Sequence, residues 1–114
     1  MPNRAERAAV VQGTLDLMVL QTLESMGPQH GYAIAARLEQ VSKGALQLNM
    51  GTLYPALMRL EQRRLIKGRW GVTDTNRKAR YYGLTPAGKR ELVQQTQAWD
   101  RMAGIIQTLI RGDA

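Results

Sequence analysis

The spacing of apolar residues changes near Leu65, and this change constrains the fold more than any other feature of the sequence. Before it, apolar residues recur at every third or fourth position, which predicts amphipathic helices. These helices are a short one over 4–11 and longer ones over about 14–26, 31–41 and 50–64. After the change, 66–72 and 79–84 have β character and are joined by a polar, turn-prone segment. Helical spacing then returns from 86 to about 110.

The order of three helices, a hairpin and a long helix predicts the fold class. It is mostly α with a small β-hairpin, a winged helix-turn-helix plus a long C-terminal dimerisation helix. A length of 114 residues suits one compact unit. We expect residues 1–85 to form the winged helix-turn-helix and residues 86–114 the dimerisation helix.

Capping and stop signals predict where the helices begin and end. Thr14 is the predicted N-cap of the first long helix, with Asp16 in its first turn, and Gly27-Pro28 stops it. Thr85-Pro86 has the residue types favoured at the N-cap and first position of the last helix. The predicted inward faces hold Ile34, Ala35, Leu38 and Val41 in the second helix and Leu53, Leu57 and Leu60 in the third.

The start of the third helix is left open by Pro55, which lacks an N–H and crowds the carbonyl four residues earlier. If the helix begins near Thr52, Pro55 lies in the first turn without harm. If it begins at Met50, the first turn should be distorted.

Composition excludes several classes of protein. The sequence has no cysteine, which excludes disulfides and thiolate metal sites. His30 is the only histidine and has no carboxylate cluster nearby, so we expect a structural role for it and neither a metal site nor a cofactor. No signal-like segment and no apolar run of roughly 20 residues is present, so we expect a soluble cytoplasmic protein with no membrane partner.

Positive charge is concentrated in one stretch. Of sixteen basic residues, ten lie between Asn49 and Arg90, where only Glu61 and Asp74 oppose them, which gives that stretch a net charge of +8. A local basic patch favours a polyanionic partner, and double-stranded DNA is the predicted one.

The third helix is predicted to enter the major groove, N-terminal end first, as the second helix of a helix-turn-helix does. Small residues and free N–H groups near its start allow close approach to the groove and to phosphate. The candidate DNA-binding residues here are Asn49, Gly51, Thr52, Tyr54, Pro55, Arg59 and Arg63. Taken alone, this helix is at least equally consistent with an ordinary amphipathic core helix that has a solvated basic face.

The hairpin favours DNA binding over the ordinary core-helix interpretation, because a turn with several cations is unfavourable unless something neutralises them. A phosphate backbone would do so. The wing candidates for DNA binding are therefore Arg69, Arg77, Lys78 and Arg80. The aromatic residues Trp70, Tyr81 and Tyr82 are interpreted as packing the hairpin onto the helices rather than stacking on bases.

Several motifs together resemble one known family. They are Gly13-Thr14-Leu15-Asp16-Leu17, Gly27-Pro28, His30-Gly31-Tyr32, Gly51-Thr52-Leu53-Tyr54-Pro55-Ala56-Leu57, Trp70-Gly71 and Arg80-Tyr81-Tyr82-Gly83-Leu84-Thr85. Over about residues 12–90 this pattern is similar to the PadR family of bacterial transcriptional regulators. The resemblance implies a winged-helix DNA-binding domain, usually a repressor, that binds an inverted-repeat operator as a homodimer. The single C-terminal helix is similar to the short subgroup of that family.

The last helix supports self-association independently of the resemblance. A heptad-like seam predicts the dimer interface, formed by Leu92, Thr96, Trp99, Ala103, Ile106 and Ile110. Two interpretations of Trp99 stay open. It packs the interface, or it contacts a small planar aromatic effector across the dimer axis, as the resemblance to drug-binding members implies.

Four function classes compete. A sequence-specific DNA-binding repressor leads. An enzyme is disfavoured, because no nucleophile, base or metal ligands converge in the pattern and no catalytic residues can be named. A protein-interaction adaptor that has lost DNA binding, and a non-specific nucleic-acid-binding protein, are the alternatives.

Overall fold

The computed structural model describes residues 12–112 and contains four helices and three strands within that range. The elements are α1 (Gln12–Met26), β1 (Gln29–His30), α2 (Gly31–Val41), α3 (Met50–Gln62), β2 (Ile66–Val72), β3 (Lys78–Leu84) and α4 (Pro86–Arg111). The predicted fold class is confirmed, because three helices precede a hairpin and a long helix follows it. The short helix predicted over 4–11 lies outside the described residues.

The hairpin belongs to a three-stranded antiparallel sheet in the order β1-β3-β2. Strand β1 was not predicted, because two residues are too few to show the alternation that marks a strand. In the hairpin, Trp70 pairs with Arg80 and Val72 pairs with Lys78. Side chains alternate between the faces of a strand, so the sheet has two sides. The α3 side carries Ile66, Gly68, Trp70, Val72, Lys78, Arg80, Tyr82 and Leu84, and the far side carries Lys67, Arg69, Gly71, Ala79, Tyr81 and Gly83.

The core is mainly aliphatic, with Tyr82 as its one aromatic member among the described residues, in a sequence without phenylalanine. Its buried side chains come from α1, α2, α3, the start of β2, β3 and the start of α4. The largest fully buried ones are Leu20, Ile34, Leu53, Leu57, Leu60, Ile66 and Val19. The inward face predicted for α3 is therefore confirmed. Val41 was predicted to face inward and is exposed instead, because α2 ends there beyond the edge of the core.

The predicted start of α1 was wrong. Thr14 lies inside the helix, which already includes Gln12, so Thr14 is not an N-cap and Asp16 is not in the first turn. Asp16 is instead buried and forms an ion pair with Arg59 of α3. The predicted end is confirmed, since α1 closes at Met26 and Gly27 adopts φ 77°, a conformation that favours glycine.

Helix α3 begins at Met50, the second of the two starts that Pro55 left open, but the distorted first turn predicted for that start was wrong, since the Leu53 N–H donates to the Asn49 carbonyl at 3.0 Å. Asn49 is the N-cap, and its side-chain oxygen accepts a hydrogen bond from the Thr52 N–H at 2.9 Å. Pro55 is consequently in the second turn, where it has no N–H to offer the carbonyl of Gly51.

Helix α4 is anchored to the base of the wing by its first turn. Thr85 is the N-cap and Pro86 the first helical residue, as predicted. The Thr85 hydroxyl donates to the Arg64 carbonyl at 2.7 Å and accepts from the Gly88 N–H at 3.0 Å. A Cβ atom on Gly88 would collide with the carbonyl oxygen of Leu65. The first turns of α4 are thus built into the core, and the division predicted at residue 85 stays a prediction.

Candidate nucleic-acid interface

The start of α3 presents one continuous exposed surface. Five of the candidate DNA-binding residues lie on it and are all exposed, namely Asn49, Gly51, Thr52, Tyr54 and Pro55. The helix turns its apolar stripe toward the core, and this leaves small and polar side chains outside. Met58, one turn after Tyr54, extends the surface and is 49% exposed. Sequence reasoning missed Met58, although the spacing of four from Tyr54 was a signal for it.

Asn49 combines a structural contact with a free donor group. Its side-chain oxygen is occupied by the Thr52 N–H, which satisfies one of the unpaired donors at the helix start. Its side-chain NH₂ group makes no hydrogen bond to the described residues, and Asn49 itself is exposed. The amide can therefore cap the helix and donate to an acceptor outside the protein at the same time.

Three of the candidate arginines are held by acidic partners. Arg59 Nη2 lies 3.0 Å from Asp16 Oδ1, and that carboxylate is almost fully buried. Arg63 Nη2 lies 3.6 Å from Glu91 Oε2, and Arg80 Nη2 lies 2.7 Å from Glu61 Oε2. Their positive charges are therefore partly neutralised, although Arg63 stays exposed and is paired at a longer distance than the other two.

Glu61 of α3 contacts both strands of the hairpin, β2 and β3. Besides Arg80, it accepts a hydrogen bond from the Gly68 N–H of β2 at 3.1 Å. The hydrogen bond to the Glu61 carboxylate raises the pKa of Arg80. A Cβ atom on Gly68 would collide with the Arg80 guanidinium, so the glycine makes room for this pair. These contacts join both strands of the wing to the last turn of α3.

The tip of the wing is a tight, exposed turn. The Thr73 hydroxyl accepts from the Arg77 N–H at 3.1 Å, and Asn76 adopts φ 61°, which asparagine tolerates better than most residues. Arg77 and Lys78 are exposed, and neither forms an ion pair within residues 12–112. Arg69 is exposed too, but lies on the far side of the sheet, away from α3.

The aromatic residues of the sheet have three different environments. Tyr82 is buried in the core, where burial raises the pKa of its hydroxyl. Tyr81 makes an edge-to-face contact with His30, with ring centroids 5.3 Å apart. Trp70 is 63% exposed, so its predicted packing onto the helices was wrong, whereas that of Tyr82 is confirmed.

His30 has the structural role that was predicted for it. It is the N-cap of α2, and its Nδ1 accepts a hydrogen bond from the Ala33 N–H at 3.2 Å. Among residues 12–112, no three His, Asp or Glu side chains come together as a group that could hold a metal ion. Within the same range, no helix is both long and apolar enough to cross a membrane.

The distal half of α4 carries a broad exposed apolar stripe. Its members are Trp99, Met102, Ile105, Ile106, Leu109 and Ile110, each between 47% and 78% exposed. In the seam predicted from the sequence, Thr96 is exposed and Ala103 half-buried. The placement of Leu92 in the dimer seam was wrong, because Leu92 is only 6% exposed and packs in the protomer's own core.

Trp99 also borders an apolar groove between α1, α2 and α4. The groove has a volume of about 460 Å³. Its apolar walls are formed by Leu17, Met18, Leu38, Val41, Leu46 and Trp99. Arg37 and Gln21 supply polar groups at its edge. The exposed Val41 is thus part of a wall rather than of the core.

The model of the transcriptional regulator PadR-like family matches residues 19–94. Two curated relatives are similar, an uncharacterized 37.1 kDa protein in transposon TN4556 of Streptomyces fradiae and the transcriptional regulator Rv3488 of Mycobacterium tuberculosis. The first is 40% identical over 68% of this chain and 21% of its own length. The second is 35% identical over 57% of this chain and 60% of its own length.

Among solved structures, a transcriptional regulator from Clostridium thermocellum is similar along nearly its whole length. It is 28% identical, with a TM-score of 0.77, and the match covers 87% of this chain and 95% of the other. The chain spans less than two thirds of the two curated relatives but almost all of this structure. The family match covers the helix-turn-helix, the wing and the start of α4, and the chain belongs to the PadR-like family of transcriptional regulators, which are not enzymes.

Proposed function

We propose that this protein is a cytoplasmic, sequence-specific DNA-binding repressor that binds an inverted-repeat operator as a homodimer. The observation that carries the proposal is the exposed start of α3 beside a wing whose tip holds two unpaired cations, Arg77 and Lys78. A recognition helix and a cationic wing on one side of the domain match two neighbouring grooves of duplex DNA.

The two parts of this surface have different tasks. The α3 surface from Asn49 to Tyr54 is nearly uncharged, so it suits hydrogen bonds to base edges and supplies sequence choice. Arg77 and Lys78 attract phosphate and supply affinity for any duplex. Arg59 and Arg80 act mainly by holding α3 and the wing in place, because each is hydrogen-bonded to a carboxylate, whereas the exposed Arg63 can still approach phosphate.

The homodimer is supported by the stripe on α4. Six large apolar residues exposed along one helix would be costly in water, and a second copy of the same stripe would cover them. A two-fold dimer places two recognition helices about one turn of DNA, roughly 34–36 Å, apart. That spacing is what an inverted repeat offers.

The test compares the duplex upstream of the protein's own gene with a random duplex of equal length, at several salt concentrations. A sequence-specific regulator binds the upstream duplex roughly 10³-fold tighter or more. Equal affinities with the same steep salt dependence would leave a non-specific nucleic-acid-binding protein. No binding to either duplex would favour the protein-interaction adaptor.

We also propose that a small aromatic effector releases the repressor, and the groove beside Trp99 supports that part of the proposal. Its apolar walls suit a planar ring, and Arg37 suits an acidic substituent. Titration with planar aromatic acids should quench Trp99 fluorescence and lower operator affinity. Quenching that persists in Trp99→Phe would assign the signal to Trp70 and remove the effector site from this groove.

A further inference from the structure

Trp70 is the least expected residue of the wing. An indole is among the largest apolar side chains, and proteins usually bury most of it. Trp70 is instead 63% exposed, and Val72, two residues along on the same side of the sheet, is also 63% exposed. An apolar patch on an otherwise polar wing indicates a partner that covers it.

Two cations of the neighbouring strand lie close to the ring of Trp70: Arg80 is its cross-strand partner, and Lys78 is two residues nearer the tip. Lys78 Nζ lies 5.2 Å from the ring centroid and Arg80 Cζ lies 5.8 Å from it. Arg80 is itself paired with Glu61, so the cation nearest to Trp70 along the register is tied to α3. An exposed aromatic ring with two cations beside it suits a ligand that carries both apolar and anionic groups.

The position of Trp70 within the wing narrows the choice of ligand. It lies on the α3 side of the sheet, two residue pairs closer to the tip than Gly68 and Tyr82. If α3 occupies the major groove and the wing tip the adjacent minor groove, one sugar–phosphate strand must pass between them. The α3 side of the wing, where Trp70 lies, would face that strand.

We propose that Trp70 contacts this sugar–phosphate strand of duplex DNA, with the indole against deoxyribose carbons and Lys78 beside a flanking phosphate. The proposal rests on the proposed DNA-binding function and adds a residue to it. The contact is independent of base identity, since every deoxyribose offers the same apolar surface. Trp70 therefore contributes to affinity and to the placement of α3, and does not choose the sequence.

The test uses Trp99→Phe, in which Trp70 is the sole tryptophan of the chain. Acrylamide quenching of its fluorescence is measured without DNA, with saturating upstream duplex, and with a single strand of the same length. Binding is followed separately by the fluorescence anisotropy of a labelled duplex. The quenching constant should fall several-fold with duplex and less with the single strand. A labelled duplex that binds while the quenching constant stays unchanged would overturn the proposal and leave DNA binding intact.

Affinity measurements on the otherwise unchanged protein provide a second arm. Trp70→Ala should weaken binding to upstream and random duplexes alike by about tenfold, as expected for loss of a partly buried indole contact, and Trp70→Phe should retain part of the affinity. Unchanged affinity in Trp70→Ala, or stronger protection of Trp70 from acrylamide by the single strand than by the duplex, would overturn the proposed contact. If no labelled duplex binds the parent protein, the proposed function fails first and this contact fails with it.

Discussion

The Arg80 guanidinium donates to the Glu61 carboxylate at 2.7 Å and ties β3 of the wing to the last turn of α3. The recognition helix and the wing have to meet two grooves of the same duplex, so their relative placement matters for specificity. The pair neutralises one cation of the wing while fixing its position. We expect this contact to favour selectivity over total affinity.

Glu61→Gln should show whether the Glu61–Arg80 pair favours selectivity for the operator over total affinity for DNA. The substitution keeps the shape of the side chain but frees the charge of Arg80, so affinity for random duplex should rise and the salt slope should steepen by about one unit. The ratio of operator to random affinity should fall, because the wing is less firmly placed. Asp74→Asn removes the same charge from the exposed tip without breaking this pair. If both variants change the ratio equally, the pair has no orienting role.

Asn49 offers a way to separate helix capping from DNA contact. Asn49→Ala loses the acceptor for the Thr52 N–H and should cost about 1 kcal/mol in the free energy of unfolding. Asn49→Asp keeps an acceptor and should keep that stability, but it replaces the free NH₂ donor by a negative charge. Operator binding should therefore fall in both variants, and unfolding in urea should distinguish them. Normal operator affinity in Asn49→Asp would exclude Asn49 from the interface.

How far the sequence predicts this structure depends on the distance over which each signal acts. The N-cap at Thr85 and the stop at Gly27 were predicted because the relevant groups lie within a few residues of each other. The ion pairs were not predicted, because Asp16 and Arg59 are 43 residues apart and only the packing of α1 on α3 brings them together. A count of charges showed a basic patch and could not show which of its members are neutralised.

For the aromatic residues, too, the local sequence pattern predicts less than the packing decides. Alternation along β3 predicts that Tyr81 and Tyr82 face opposite sides, but not which side meets the core. Trp70 is a large aromatic residue of the kind that usually packs in a core, yet its strand extends past the end of the core and leaves the side chain exposed. Leu92 shows the converse, since its place in a heptad pattern is compatible with the protomer's own core as well as with a dimer seam.

Lys78 and Arg69 provide a matched pair for the charge of the wing. Both are exposed cations of the hairpin, but Lys78 lies on the α3 side and Arg69 on the far side. Lys78→Ala should weaken binding to all duplexes and flatten the salt slope by about one unit. Arg69→Ala should have a smaller effect on both quantities in the same titration. Equal effects would mean that DNA approaches the wing from its tip or edge rather than from the α3 side.

Two glycines of α4 should respond to alanine in opposite ways. Gly88 has no room for a Cβ atom against the Leu65 carbonyl oxygen, so Gly88→Ala should lower the free energy of unfolding by about 2 kcal/mol. Gly104 has no neighbour within 4 Å of the same position, and Gly104→Ala should raise it by about 1 kcal/mol through helix propensity. Chemical denaturation of both variants measures the difference. A destabilised Gly104→Ala would indicate that a partner helix lies against that residue.

The apolar stripe of α4 makes the dimer testable in isolation from DNA. Ile106→Glu introduces a charge into the centre of the stripe in both copies, and burying two unpaired carboxylates should weaken association by at least about a hundredfold. Thr108→Glu places the same charge on the opposite side of the helix and should leave association unchanged. Sedimentation at several concentrations separates the two. Because Ile106 is exposed in the protomer, the monomeric variant should remain folded and bind an operator half-site, while losing the tighter binding to the full inverted repeat. A dimer that survives Ile106→Glu would place the interface elsewhere on the domain.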